Sequence, residues 1–376
     1  MTAPAASGAA PALPGTRPTP PGDRPTPSGD RATQPEGRST PPSDRATPPE
    51  GRSTPPSDRA TPPEGRSVLP GDRTVPRRLV HKRAVEQVLT TGVAECGGRL
   101  LGSAQLPRLH RYFNDTRAPY YDLLLVGEAA RQTVEAMAHE LLGVPLDSPF
   151  VLSDLAIELT GPEALRVGPA PVDLGVELHI DSARRRRDGS VRALRGTAVC
   201  RVAEREAARF SGTLRFLEAG AYAELRAGPA APAPPATGVP PRSAPAAVGR
   251  TDPRNVVLGR IRHKGEETVA RLVCDPGDPV FFDHPLDHLP GMLLMEAGRQ
   301  IALAARARTA AVPATELIAT SCRAGFREFA EHTDPVWCRA RPTAAGTIEA
   351  VVEQRGRPAA LLEVAVARVT DRGIVP

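Results

Sequence analysis

The sequence lacks most of the features that announce an activity. Its five cysteines, at positions 96, 200, 274, 322 and 338, form no CxxC pair and stand at no metal-ligand spacing with histidine. That pattern excludes a zinc ribbon and a redox dithiol, and leaves the expectation of reduced, mostly buried thiols. No stretch approaches the roughly 18 apolar residues of a membrane-spanning helix, and the first 30 residues hold no apolar core of signal-peptide length. The protein is therefore read as soluble and cytoplasmic, with no membrane partner. The formal net charge is +5, yet the basic residues form no stripe or recognisable module of the kind nucleic acid requires. No GxSxG elbow and no Cys-His signature supplies an acyl-enzyme nucleophile. Two histidines four apart in a proline-containing loop are too few ligands for a metal, so neither metal nor cofactor is expected.

What the chain has in excess is proline and glycine, 43 and 33 residues, gathered in two stretches. Residues 1–76 carry a 14-residue repeat: DRATQPEGRSTPPS at 30–43, DRATPPEGRSTPPS at 44–57, and a third copy beginning at Asp58. With almost no large apolar side chains, this segment cannot offset the entropy of ordering and is expected to be a disordered tail. Residues 226–247, rich in proline and alanine, suit a semi-rigid spacer. Two foldable parts remain, 77–225 and 248–376.

Those two parts are copies. A single offset of 168 residues lays Val80 on Val248 and, without a gap, Pro145 on Pro313; EAARQ at 128–132 falls on EAGRQ at 296–300. One register held so long marks an internal repeat. Each copy has one strongly apolar helical stretch. The first follows Asp122, a plausible N-cap, and ends at Gly143; the second enters at Pro290-Gly291 and runs to about Ala310. Both are apolar around most of their circumference, as a helix enclosed on several sides must be. Strand-like segments follow at 176–180, 191–202 and 210–217 in the first copy, and at 347–354 and 361–369 in the second. A buried helix with antiparallel strands curled around it is the hotdog arrangement. The fold class expected is α+β, a tandem or double hotdog.

Polar residues interrupt each helix on one face. Glu128, Arg131, Gln132, Glu135 and His139 stand at i, i+3, i+4, i+7 and i+11, and Glu296, Arg299 and Gln300 repeat the beginning. Before the second helix, a loop concentrates Asp283, His284, Asp287 and His288, and histidine there suits general-base work near neutral pH. The run from Arg184 to Arg187 precedes Asp188-Gly189 and reads as a solvated hairpin tip, with docking of an acidic carrier protein as the alternative.

PGMLLMEAGRQ at 290–300 resembles the PGxLxxEAxAQ segment of hotdog 3-hydroxyacyl-ACP dehydratases, which places Glu296 at that family's helix carboxylate. The family's loop histidine would fall at Phe282, a departure that argues against dehydration. A closer resemblance covers almost the whole foldable region. VHKRAVEQVLTTG (80–92), NDTRAPYYDLLLVGEAARQ (114–132), GRTDPRNVVL (249–258) and FFDHPLDHLPGMLLMEAGRQ (281–300) resemble, in order, the signature segments of the A-factor biosynthesis (gamma-butyrolactone synthase) family. That resemblance implies transfer of a 3-oxoacyl group from acyl carrier protein to the hydroxyl of dihydroxyacetone phosphate. Another thioester enzyme on the same fold, a thioesterase or dehydratase, and a non-catalytic acyl-binding regulator are the alternatives.

On this reading, composite sites form where the loop of one copy faces the helix of the other. His284 or His288 is expected to work opposite Glu128, while Asp115, Arg117 and Glu296 make a second, altered site. The N-terminus of the second helix is placed to hold the thioester oxygen. Arg131, Arg299, Arg117, His81 and Lys82 are the candidate cations for the acceptor phosphate.

Overall fold

The structure, a computed structural model, describes residue 69 and residues 71–227 and 240–375. The repeat tail expected over 1–76 lies outside the described residues apart from its last few, as does the middle of the expected spacer. The ends of that spacer are part of the folded body, so the boundary at 226–247 is drawn too wide. Arg226 closes a helix, and at the other end Ser243 donates its backbone N–H to Leu258 O at 2.9 Å and its hydroxyl to Gly259 O at 2.7 Å.

The first repeat runs β1 (Thr90–Cys96), β2 (Arg99–Leu106), α1 (Leu123–Glu140), β3 (Phe150–Leu159), β4 (Val172–Arg185), β5 (Val191–Val202), β6 (Arg205–Phe216) and a short α2 (Ala219–Arg226). The second runs β7 (Arg262–Lys264), β8 (Glu267–Arg271), α3 (Gly291–Ala310), β9 (Leu317–Phe326), β10 (Val336–Pro342), β11 (Ile348–Gln354), β12 (Arg357–Thr370) and β13 (Gly373–Val375). Among the described residues the strands form one sheet in the order β1-β2-β4-β5-β6-β3-β9-β12-β11-β10-β8-β7, with β13 added on β12. The order is a palindrome about the β3/β9 junction, so the repeat seen as a sequence offset is also a pseudo-twofold of the sheet. At that junction the strands pair antiparallel from Asp154 opposite Gly325 to Glu158 opposite Ser321.

Local chemistry sets the helix ends as the sequence suggests. Asp122 caps α1 by accepting the Leu124 N–H at 2.7 Å. Past the last turn Gly143 takes a left-handed backbone (φ 69°), as does Ala311 at the equivalent place after α3 (φ 52°). Asp188-Gly189 makes the tight turn between β4 and β5, with Gly189 at φ 90° and Asp188 accepting the Ser190 N–H at 2.9 Å. Arg184 and Arg185 end β4 beside it, the expected hairpin tip. One continuous core runs through both repeats, joining Leu124, Leu125 and Met137 on α1 to Leu293, Met295 and Ile301 on α3. Each such side chain, fully buried, contributes about 1.5–3 kcal/mol. All five cysteines are free thiols. Among the described residues no helix is long and apolar enough to cross a membrane.

Candidate active site

The polar face of α1 is a connected cluster. Glu128 is buried and accepts from Arg131 Nη2 (2.8 Å) and Nε (2.8 Å) and from Gln132 Nε2 (2.9 Å), with Lys82 Nζ at 3.0 Å. Burial alone would raise its pKa, but Arg131 and Lys82 overcome that and hold the carboxyl below the usual range. Arg131 also reaches forward one turn to Glu135. Gln132 ties the helix to the chain entering the sheet, accepting from Leu89 N at 2.8 Å and donating to Gln87 O at 2.9 Å.

The second repeat reproduces this framework and then closes it. Gln300 makes the matching bonds to Val257 N and Asn255 O, at 3.0 and 2.8 Å. Arg250 stands where Lys82 stands, fully buried, with Nη2 2.9 Å from Glu296; Arg299 and Gln300 both reach Glu296 at 2.6 Å. Arg250 Nη1 also donates to Tyr112 O at 2.9 Å, and its guanidinium lies over the Tyr112 ring. Positions 135 and 139, Glu and His in the first repeat, are Leu303 and Ala307 in the second. The second polar cluster is a solid plug.

The aspartates explain how the repeats lock together. Asp283 accepts the backbone N–H groups of Arg83 and Ala84 (2.5 and 2.9 Å), fastening the second repeat's loop to the segment carrying Lys82. Asp115 does the same for Thr251 and Asp252 (3.0 Å each), fastening the first repeat to the segment carrying Arg250. Asp115 is therefore a clamp between repeats.

A cavity of about 800 Å³ opens beside α1. One part is apolar, lined by Val134, Leu155, Leu178, Leu194, Ala198 and Phe210 between the helix and β3 to β6. The other part is polar and brings together His81, Lys82, Glu128 and Arg131 from the first repeat with His284 and His288 from the second. Glu296, Arg299, Asp115 and Arg117 are not among its lining: the first two are locked in the plug, Asp115 is the clamp, and Arg117 is exposed.

His81 requires a correction as a phosphate-binding cation. Burial, and then the neighbouring His139, Arg131 and His284, push its pKa down to about 4, so the ring is neutral near pH 7. Its Nε2 lies 2.9 Å from His139 Nε2, while His139 Nδ1 lies 2.8 Å from Val144 O. His81 also holds a left-handed backbone (φ 51°), where the second repeat has Gly249 (φ 73°). Such a conformation costs a residue with a Cβ about 1–2 kcal/mol.

Several lining residues are not legible in the sequence. His110 accepts from the N–H groups of Tyr112 and Phe113 through Nδ1, both at 3.2 Å, which leaves Nε2 to carry the proton of the neutral ring. Burial, helped by Lys82 and Arg111, lowers it to about 4. Arg215 and Arg327 line the cavity with no carboxylate partner among the described residues. From α2, Tyr222 hydrogen-bonds Asp287 at 2.9 Å, and Arg226 bonds both Asp287 (2.9 Å) and Glu331 (2.8 Å). Asp287 in turn holds His288 Nδ1 at 2.6 Å. A lone histidine in a polar loop, or cations from the two repeats that line one cavity, leave no pattern in a linear sequence.

The helix entries differ as well. Pro290, the N-cap of α3, makes no side-chain capping bond, and Gly291 and Met292 of the first turn line the cavity. The equivalent N-cap of α1 is Asp122, whose carboxylate fills that role. An uncapped first turn presents its N–H groups to whatever occupies the space before it.

Residues 66–218 and 232–373 match the A-factor biosynthesis hotdog domain, twice in tandem. The chain belongs to the A-factor biosynthesis hotdog family. Relatives in this family include a 2-oxo-3-(phosphooxy)propyl 3-oxoalkanoate synthase of Streptomyces virginiae, 35% identical over 71% of this chain and 87% of the relative. Another of the same description, from Streptomyces griseus, is 32% identical over 69% of this chain and 82% of its own length. Among solved structures, a pyran synthase domain from module nine of the sorangicin pathway is similar at 16% identity, covering 77% of this chain and 98% of that one with a TM-score of 0.46. In this member of the A-factor biosynthesis hotdog family, one of the two pseudo-equivalent polar clusters is open to the cavity and the other is plugged.

Proposed function

We propose that this protein is an acyltransferase that moves a 3-oxoacyl group from acyl carrier protein to the hydroxyl of dihydroxyacetone phosphate, forming a 2-oxo-3-(phosphooxy)propyl 3-oxoalkanoate. The product is the one its relatives are named for. The observation that carries the reading is a cavity, apolar at one end and polar at the other, in which an acyl tail and a charged head group have separate places.

In this proposal the tail lies along Val134, Leu194 and Ala198, and the thioester carbonyl meets the first-turn N–H groups of α3. Lys82, Arg131, Arg215 and Arg327 supply the positive charge for the phosphate. The acceptor oxygen attacks the carbonyl carbon, the C–S bond breaks, and the carrier thiol leaves; no acyl-enzyme forms. Glu128, saturated by Lys82, Arg131 and Gln132, is held as a carboxylate and positions the two cations. His284 and His288, at the polar end and contributed by the opposite repeat, bind the thioester side of the substrate and serve the departing sulfur.

The test is mass spectrometry of protein incubated with 3-oxoacyl carrier protein, with and without dihydroxyacetone phosphate, beside the double variant His284→Ala, His288→Ala. The expected result is holo-carrier and phosphorylated ester with the acceptor present, much reduced in the variant. Free acid released regardless of acceptor would make the protein a thioesterase instead.

A further inference from the structure

His110 and Asp278 stand at equivalent places in the two repeats and build the same turn. The backbone carbonyl of each accepts from the residue four positions on, Asn114 N–H at 3.1 Å and Phe282 N–H at 2.9 Å. The side chain of each also accepts the N–H two positions on, Tyr112 to His110 Nδ1 at 3.2 Å and Val280 to Asp278 Oδ1 at 2.9 Å. Aspartate meets that local need completely. The open repeat has a histidine instead, which satisfies the turn through one ring nitrogen and keeps a second. Because Nδ1 accepts from both Tyr112 and Phe113, the ring is neutral and carries its proton on Nε2. No described residue accepts from Nε2, and that atom is not one of the buried polar atoms without a partner. His110 lines the cavity, whereas Asp278 does not. The ring edge that carries the proton is the edge left for a ligand.

We infer that His110 donates its Nε2–H to the C2 keto oxygen of the acceptor, and so selects a ketone-bearing alcohol phosphate over one without the ketone. The inference rests on the acyltransferase reading above. Nε2–H only donates and a keto oxygen only accepts, so the two are complementary. Glu128, Lys82, Arg111 and Asp122 are the charged groups that act on the ring, which places it at the polar end of the cavity. There the phosphate has Lys82 and Arg131, and the thioester oxygen has the first turn of α3. The keto oxygen of the acceptor is the carbonyl still in need of a donor. With its pKa pushed down to about 4, chiefly by burial, the ring stays a neutral donor across the neutral range.

The test changes residue and substrate together in the full-length protein. Wild type, His110→Asn and His110→Gln are assayed with 3-oxoacyl carrier protein and either dihydroxyacetone phosphate or 3-hydroxypropyl phosphate, which lacks the ketone. Wild type is expected to prefer the ketone by about tenfold or more in kcat/KM. Asparagine keeps an oxygen for the turn but ends short of Nε2; it should cost about tenfold with the ketone and less than about threefold without it. Glutamine reaches the Nε2 position with an amide N–H but gives up the turn, and should recover part of the preference. A purely structural role predicts the opposite order, with both acceptors impaired alike, and that result overturns the role of His110, as does a wild type without preference. A variant that instead stops distinguishing 3-oxoacyl from saturated acyl donors also overturns it, by moving the contact to the donor. If the asparagine variant fails to fold, nitrogen-15 NMR of histidine-labelled wild type decides. The His110 ring is expected to be protonated on Nε2 alone at pH 7, with a signal that shifts on adding dihydroxyacetone phosphate and not 3-hydroxypropyl phosphate; a proton on Nδ1, or no such difference, overturns the inference. Each of these outcomes leaves the acyltransferase reading standing, whereas wild-type protein that forms no ester from either acceptor overturns both.

Discussion

Lys82 and Arg250, separated by the 168-residue repeat offset, bind the same glutamate of their respective copies, but Lys82 does so at the edge of an open cavity and Arg250 with no exposed surface at all. The second cluster has kept the charges of the first and lost its space. Its carboxylate Glu296 is paired with Arg250 and Arg299, with Gln300 completing the set. Such a cluster, with Arg250 of one repeat bonded to Tyr112 O of the other, holds the two repeats in register.

Removing the central carboxylate of the plug leaves the buried Arg250 and Arg299 with the more distant Asp122 carboxylate, at 3.7 and 3.8 Å, as counter-charge. Glu296→Gln is expected to lower unfolding free energy by about 3–5 kcal/mol, read as a shifted urea midpoint. The protein that remains folded should keep acyl-transfer activity close to wild type, because Glu296 does not line the cavity. An unchanged midpoint would show that the plug contributes no stability.

Stability should fall on the acid side in two stages. His81 and His110 have folded pKa values of about 4, below the ordinary 6.5, so the unfolded chain binds their protons first, and their contribution disappears as pH drops from about 6.5 through 4. Burial opposes the charge of Glu296 but Arg250 and Arg299 outweigh it, lowering its pKa from 4.5 to about 2, so its contribution is present above pH 4.5 and lost as pH falls toward 2. Denaturation midpoints measured from pH 8 to 3 test this: His81→Gln should diminish the upper stage, leaving the part due to His110, and leave the lower one unchanged.

Chain-length preference should follow the apolar end of the cavity. Ala198 on β5 is fully buried and lines it. Ala198→Leu is expected to reduce kcat/KM for the longest accepted acyl chain by about tenfold or more, sparing shorter ones. Competition among 3-oxoacyl thioesters of mixed length measures the shift. An even loss at every length would mean the tail lies elsewhere.

Arg226 fixes α2 to the loop that carries His288, through Asp287, Glu331 and the Phe329 ring. Arg226→Ala should loosen that loop and raise KM for the acyl donor, by about tenfold at most, with kcat near wild type. Steady-state kinetics with varied donor decides it, and a fall in kcat alone would place Arg226 closer to the chemistry than the geometry does.

Much of this organisation is legible in the sequence itself. The repeat offset, Asp122 as a cap, both central helices and the Asp188-Gly189 turn depend on local spacing and local backbone preference, which a linear sequence displays. That the loop of His284 and His288 faces the helix of Glu128 is legible through the repeat, since two copies of one unit imply a facing arrangement. A linear sequence does not display which polar cluster has space beside it. EAARQ and EAGRQ read alike, and the difference is made by Arg250 and Tyr112, 138 residues apart in sequence and joined at 2.9 Å. Nor does it show that burial neutralises His81, because that depends on what packs around the ring.

The most direct test of the central claim, one site from two similar halves, is native mass spectrometry with a non-hydrolysable 3-oxoacyl pantetheine analogue. A single equivalent bound per chain at saturation is expected, lost when Ala198→Leu and His284→Ala, His288→Ala are combined and retained in the folded fraction of Glu296→Gln. Two equivalents per chain, or binding that survives the cavity variants and disappears with Glu296→Gln, would contradict it.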